Sequence, residues 1–168
     1  MNKFTVLLAA TIVTAMAFPA TAQTTLQKAE GDELFVIPKN DPDMAAAMNK
    51  ARATLPDFLA VMHAPKETMR GFSVKVAIRD GGQSEYFWIA PFTEKDGGFS
   101  GQIGNTPRSV RNVKRGQTIS FSRGEIVDWL YIDGTKMKGN FTSCPLLKKE
   151  PPAQAKAMME RYGMECEF

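Results

Sequence analysis

Two carboxylates, Glu85 and Asp128, each lie in an aromatic run, "EYFWIAPF" and "IVDWLYI". Two carboxyl groups held on either side of a glycosidic bond can hydrolyse it, one as acid and the other as base or nucleophile. These two are therefore the candidate catalytic pair. The other reactive residue types offer less. His63 is the single histidine, and a histidine-based metal site needs more than one such ligand or acids at coordinating spacing. No metal and no cofactor is expected. No G-x-S-x-G or S-x-x-K stretch is present to build a serine nucleophile. The glycine-rich segment Gly97–Asn105 lacks the Lys-Ser/Thr of a phosphate-binding loop and reads as turn and edge strand.

Asp128 has a second reading. A buried carboxylate without partners costs several kcal/mol, on the order of 2–7 for a polar group and more for a charge, so it must be solvated, paired or capping. The preferred expectation is structural. Asp128 accepts backbone N–H bonds or pairs with Arg123 or Lys114, and Trp129 beside it anchors the core. Gly139 serves backbone shape, and Asn140 supplies a turn-like side-chain bond.

The two cysteines, Cys144 and Cys166, lack C-x-x-C spacing and have no neighbouring histidine. An even pair in an oxidising compartment predicts one disulfide. It would fasten the end of the chain to the last strand region.

These residues need elements to position them. Asp41-Pro42-Asp43 is a helix start, with Asp41 as N-cap and Pro42 at the first helical position. Pro56 is foreign to a helix interior, so two helical pieces are predicted, Met44–Lys50 and one from Thr54. The second presents Leu55, Phe58, Leu59 and Met62 on one face. Phe72, Val74, Val76 and Ile78 then alternate with Ser73, Lys75, Ala77 and Arg79, the period of a half-buried strand. Further strands follow at 85–92, 99–103, 118–121, 126–132 and 137–141, the last two flanking the turn Asp133-Gly134. A helix over 151–162 closes the chain. The fold class is α+β, with about five mostly antiparallel strands and helices before and after the sheet.

At this point a resemblance enters. The pieces "FSVKVAI", "EYFWI", "GQTI" and "IVDWLYIDGTKMKGNFT", in that order, resemble the YegJ-like domain, a bacterial family of unknown function. The similar span runs from about Ala46 to Thr142. Its most specific block holds Ile126, Asp128, Trp129, Gly139 and Asn140. The resemblance implies the fold, and it brings no activity, substrate or catalytic residue with it.

The start of the chain bears on location. Lys3 is followed by the uncharged apolar stretch Phe4–Phe18 and then by Ala20-Thr21-Ala22, the small-x-small pattern of a signal-peptidase site. The run stops at Pro19, short of the roughly 20 apolar residues of a membrane span. The expected organisation is a signal peptide over 1–22, an N-terminal extended segment over 23–40 with one apolar patch at Leu34–Ile37, and a single α+β domain over 41–168. The mature protein is expected to be periplasmic or secreted, with no integral membrane segment after cleavage.

The chain carries 21 basic and 18 acidic residues. Loss of Lys3 leaves 20 against 18, without the basic excess of a dedicated nucleic-acid binder. The one charge asymmetry is local. Arg108, Arg111, Lys114, Arg115 and Arg123 occur between Gly97 and Gly124 without an acid. A short helix from Thr106-Pro107 would align Arg108, Arg111 and Arg115 as a candidate site for an anionic or protein partner in the envelope. The leading expectation for function is a non-catalytic binding or protein-interaction module, inhibitor- or immunity-like. The alternatives are a periplasmic hydrolase using Glu85 and Asp128, and a structural envelope-stress protein.

Overall fold

A computed structural model describes residues 41–167. The expectations for residues 1–40, namely the signal segment, cleavage after Ala22 and the patch Leu34–Ile37, lie outside the described residues.

The first helix, α1, runs unbroken from Pro42 to His63, where two pieces were expected. Asp41 caps it, its side chain accepting from the Met44 N–H at 2.9 Å. Pro56 removes one intrahelical bond, a loss of about 3 kcal/mol in a helix interior. The stripe Met44, Ala51, Leu55, Phe58 and Leu59 is buried along the whole length. That shared burial keeps both halves in register on the sheet.

Six antiparallel strands follow, one more than the expected five or so: β1 (Met69–Asp80), β2 (Gln83–Lys95), β3 (Gly98–Ile103), β4 (Thr118–Phe121), β5 (Ile126–Asp133) and β6 (Lys136–Gly139). Their order in the sheet is β4-β3-β2-β1-β5-β6. Each of the six segments named from the sequence forms a strand, so only the count was short, and the last of them, the return after Gly134, pairs Asp133 with Lys136 and Leu130 with Gly139. The predicted period of two holds in the core strands. Val74, Val76, Phe87 and Ile89 are fully buried and face α1.

The sheet is curled. In a flat sheet, four strand spacings of about 4.8 Å would separate β4 from β5 by about 19 Å. The connection between them is Ser122 and a single 3-10 turn, Arg123–Glu125, which reaches at most about 15 Å. Residues of both ends, Phe121 with Val76 and Val127, accordingly line one cavity of about 450 Å3.

No helix forms between Thr106 and Arg115. The segment is a loop with the buried Val110 as its anchor. Prolines and glycines are not what prevents the helix. Asp80 takes the Arg111 N–H, which a helix from Pro107 would need for its own first turn.

After β6 come a 3-10 turn, Phe141–Ser143, a short helix α2 (Cys144–Leu147) and the final helix α3 (Pro152–Tyr162). The chain end then returns to the hairpin, where the Met137 N–H donates to the Gly163 carbonyl at 2.9 Å. Cys144 and Cys166 are joined as a disulfide, Cα to Cα 5.5 Å. Closing a loop of 22 residues should add about 3 kcal/mol of stability in the chain-entropy model. Reductant should therefore lower the melting temperature by roughly 10 °C for a domain of this size. Two free thiols on titrating the unreduced, denatured protein would contradict the bond.

Candidate functional site: a buried acid cluster beside an aromatic cleft

Asp128 lies in β5 opposite Lys75 of β1 and has no exposed surface. Its position follows from how β6 ends. Gly139 holds φ +78°, and a Cβ there would collide with the carbonyl oxygen and indole of Trp129. Asn140 takes a left-handed conformation, donates its N–H to the Trp129 carbonyl at 2.7 Å and accepts from the Ser143 hydroxyl at 2.7 Å. The chain thus leaves the sheet, and the Trp129 N–H loses the strand partner it would otherwise have.

The Asp128 carboxylate fills that gap. Oδ1 accepts from the N–H groups of Trp129 at 2.9 Å and Phe141 at 3.2 Å. Oδ2 accepts from the Thr142 N–H at 2.8 Å and its hydroxyl at 2.6 Å. The Lys75 ammonium donates to the same Thr142 oxygen at 2.7 Å and rests 4.7 Å from the centre of the Trp88 ring. Burial pushes the Asp128 carboxyl up from its usual value, while the Lys75 charge and the bonds from Thr142 and Trp129 pull it back. Burial pushes the Lys75 ammonium down, opposed by Asp128. With four donors on two oxygens, the arrangement fits the ionised acid. Arg123 and Lys114 were the expected basic partners, and Lys75 takes their place.

Glu85 is elsewhere. It pairs with Ile78, whose side of β1 is the inner face of Val74 and Val76. Asp128, opposite Lys75, belongs to the outer face. The two carboxylates are on opposite faces with β1 between them, so they do not form a pair around one substrate. Glu85 instead accepts the backbone N–H groups of Arg108 and Ser109, at 3.0 and 2.8 Å, and that of Val110 at 3.2 Å. Asp80 accepts from the Arg111 N–H at 2.8 Å. These bonds hold the basic loop in its non-helical course. Arg108, Arg111 and Arg115 are exposed on it, without the helical alignment expected of them. His63, at the end of α1, lies 3.5 Å from Glu94 on the surface. Among the described residues no group of three His, Cys, Asp or Glu side chains is placed to hold a metal ion, and no helix is long and apolar enough to cross a membrane.

A cleft of about 1050 Å3 opens between α1, the β5–β6 hairpin and the disulfide-tied C-terminal segment. Trp129, Tyr131 and Phe141 line it together with Met137, Met159 and Met164. The aromatic groups are mutually packed. Trp129 stacks on Phe58 with ring centres 4.9 Å apart and meets Phe141 edge-on at 5.3 Å, and Tyr131 stacks on Phe72 at 5.2 Å. Trp129 Nε1 donates to the Ala51 carbonyl of α1 at 3.0 Å. At the rim, Lys148, Lys136 and Lys156 pair with Asp43, Glu165 and Glu160. Lys50 rests 5.2 Å from the Phe141 ring centre, and neither it nor Lys138 is in an ion pair among the described residues. The sequence reading missed the cleft. Tyr131 and Phe141 stand in the quoted block, but their wall, Met159 and Met164, comes from the far end of the chain.

The family described as "Uncharacterized protein conserved in bacteria (DUF2314)" matches residues 41–166, which span the sheet and all three helices. The chain is also 38% identical over 112 residues to the uncharacterized protein YegJ of Escherichia coli strain K12, covering 67% of this chain and 72% of that protein. No solved structure matches.

Proposed function

The chain belongs to the DUF2314 family of bacterial proteins, and from that premise we propose that it is an exported, non-catalytic binding module whose cleft holds a protein partner, in the manner of an inhibitor or immunity protein. The cleft between α1, the hairpin and the C-terminal segment carries this reading. Aromatic and methionine side chains are the types enriched where proteins meet, and methionine adapts its shape to what it contacts. Lys50 and Lys138, in no ion pair among the described residues, supply polar orientation at the rim. Export is supported by the leader-like start, Lys3 to Ala22, and by a disulfide that suits an oxidising compartment. In this reading Trp129 lines the cleft, Asp128 holds the backbone of Trp129 and Phe141 behind it, neither performs chemistry, and Gly139 and Asn140 shape the exit of β6.

Affinity capture from an envelope extract tests it, using the mature chain beginning at Gln23 and the variant Lys50→Glu/Lys138→Glu. Both substitutions are at the rim and leave the core intact. The wild type should retain a discrete protein that the variant loses. Identical captures from the two would overturn the cleft as the binding site.

A further inference from the structure

The face of the sheet turned away from α1 carries its own chemistry. Strand pairing places Trp88 opposite Lys75, Tyr86 opposite Ala77 and Ser84 opposite Arg79. All of these alternate with the buried Val74, Val76, Phe87 and Ile89, so they lie on the outer face. Arg70, opposite Ile132, and Lys95, two residues along from Thr93, which pairs with Ser100, share it. Its other positions on β2, β3 and β4 include the uncharged polar Thr93, Ser100, Gln102, Thr118 and Ser120. Its only acid among the described strand residues is Asp128, which is buried and fully bonded. Glu85 and Glu94, the acids of β2, point to the inner side.

Two features make this more than a solvated surface. Tyr86 is 45% exposed, one of two large hydrophobic side chains so open among the described residues. Trp88, two residues on and about 7 Å away along the strand, is half-buried, with its ring held by the Lys75 ammonium. On the same face Arg79, beside Tyr86 in the register, and Arg70 and Lys95, farther along the strands, are in no ion pair among the described residues. We propose that this outer face binds an anionic polysaccharide, stacking its sugar rings on Tyr86 and Trp88 and meeting its carboxylates with Arg79 and Arg70. Sugar rings present C–H groups to aromatic faces, whose quadrupole is negative, and guanidinium forks match carboxylates in geometry. Stacked rings beside cations also suit single-stranded nucleic acid. The near-neutral charge balance of the chain and its leader-like start favour the glycan. This surface is separate from the cleft and does not depend on it.

The test is retention of the full mature protein on immobilised polygalacturonate, compared with neutral dextran and with an oligodeoxythymidine competitor. The protein should bind polygalacturonate and not dextran, and added salt should weaken the binding. Tyr86→Ala and Arg79→Gln, both at exposed positions, should each weaken it at least about tenfold, equivalent to about 1.4 kcal/mol. The cleft variant Lys50→Glu/Lys138→Glu should bind as the wild type does. Four results would overturn the proposal: no retention, equal retention on dextran, displacement by the oligonucleotide at lower concentration than by free polygalacturonate, or outer-face variants indistinguishable from wild type.

Discussion

Replacing Trp129 with alanine should produce the largest loss of stability of any single substitution in this domain, about 3–5 kcal/mol. The side chain is 7% exposed and joins elements far apart in sequence. It stacks on Phe58 of α1, runs beside Tyr131 at 6.1 Å and meets the edge of Phe141. Its indole N–H also satisfies the Ala51 carbonyl. Truncation leaves a void bounded by a helix, a strand and a turn that cannot all close on it. Thermal denaturation should show a fall of roughly 10–20 °C. A fall below about 3 °C would mean that these contacts are not what fastens α1 to the sheet.

The second large effect is expected at Asp128. Asparagine has nearly the same shape, yet it replaces one acceptor oxygen by an NH2 donor. Whichever oxygen is lost, backbone donors then face a donor: the Trp129 and Phe141 N–H groups on one side, or the Thr142 N–H on the other, where the Thr142 hydroxyl can turn to accept. The Lys75 ammonium, joined to the acid through the Thr142 hydroxyl, also loses its nearby opposite charge, and leaving buried groups unsatisfied in this way costs about 1–3 kcal/mol, more where a charge is involved. Asp128→Asn should therefore lower the melting temperature by roughly 10 °C, somewhat less than Trp129→Ala because no cavity forms. Unchanged or raised stability would mark Asp128 as an acid held at a cost, and so as a functional group.

The strands were legible because alternation is a local signal. Phe72 to Ile78 and the hairpin around Gly134 declare themselves within a dozen residues. Pro56 misled because its local penalty is opposed by burial of Met44, Ala51, Leu55 and Phe58 together, which only the tertiary structure reveals. The loop at Arg108–Arg115 misled for a similar reason. Its N–H groups are claimed by Glu85 and Asp80, more than twenty residues upstream. Asp128 was recognisable as a residue in need of donors, but its cation was not. Lys75 occupies an ordinary polar position of an amphipathic strand, and only the pairing of β1 with β5 brings it to the acid. The cleft was hidden most completely, since α1, the hairpin and the C-terminal segment meet only in the folded chain.

Binding and stability must separate if the buried acid supports the cleft and does no chemistry. The direct measurement is a calorimetric titration of the captured partner into the wild type, Asp128→Asn and Lys50→Glu/Lys138→Glu, at a temperature where all three remain folded. Asp128→Asn should keep its affinity within about threefold, and the rim variant should lose at least about tenfold, or about 1.4 kcal/mol. The opposite pattern, in which folded Asp128→Asn fails to bind and the rim variant binds normally, would contradict both the structural role of Asp128 and the cleft as the site.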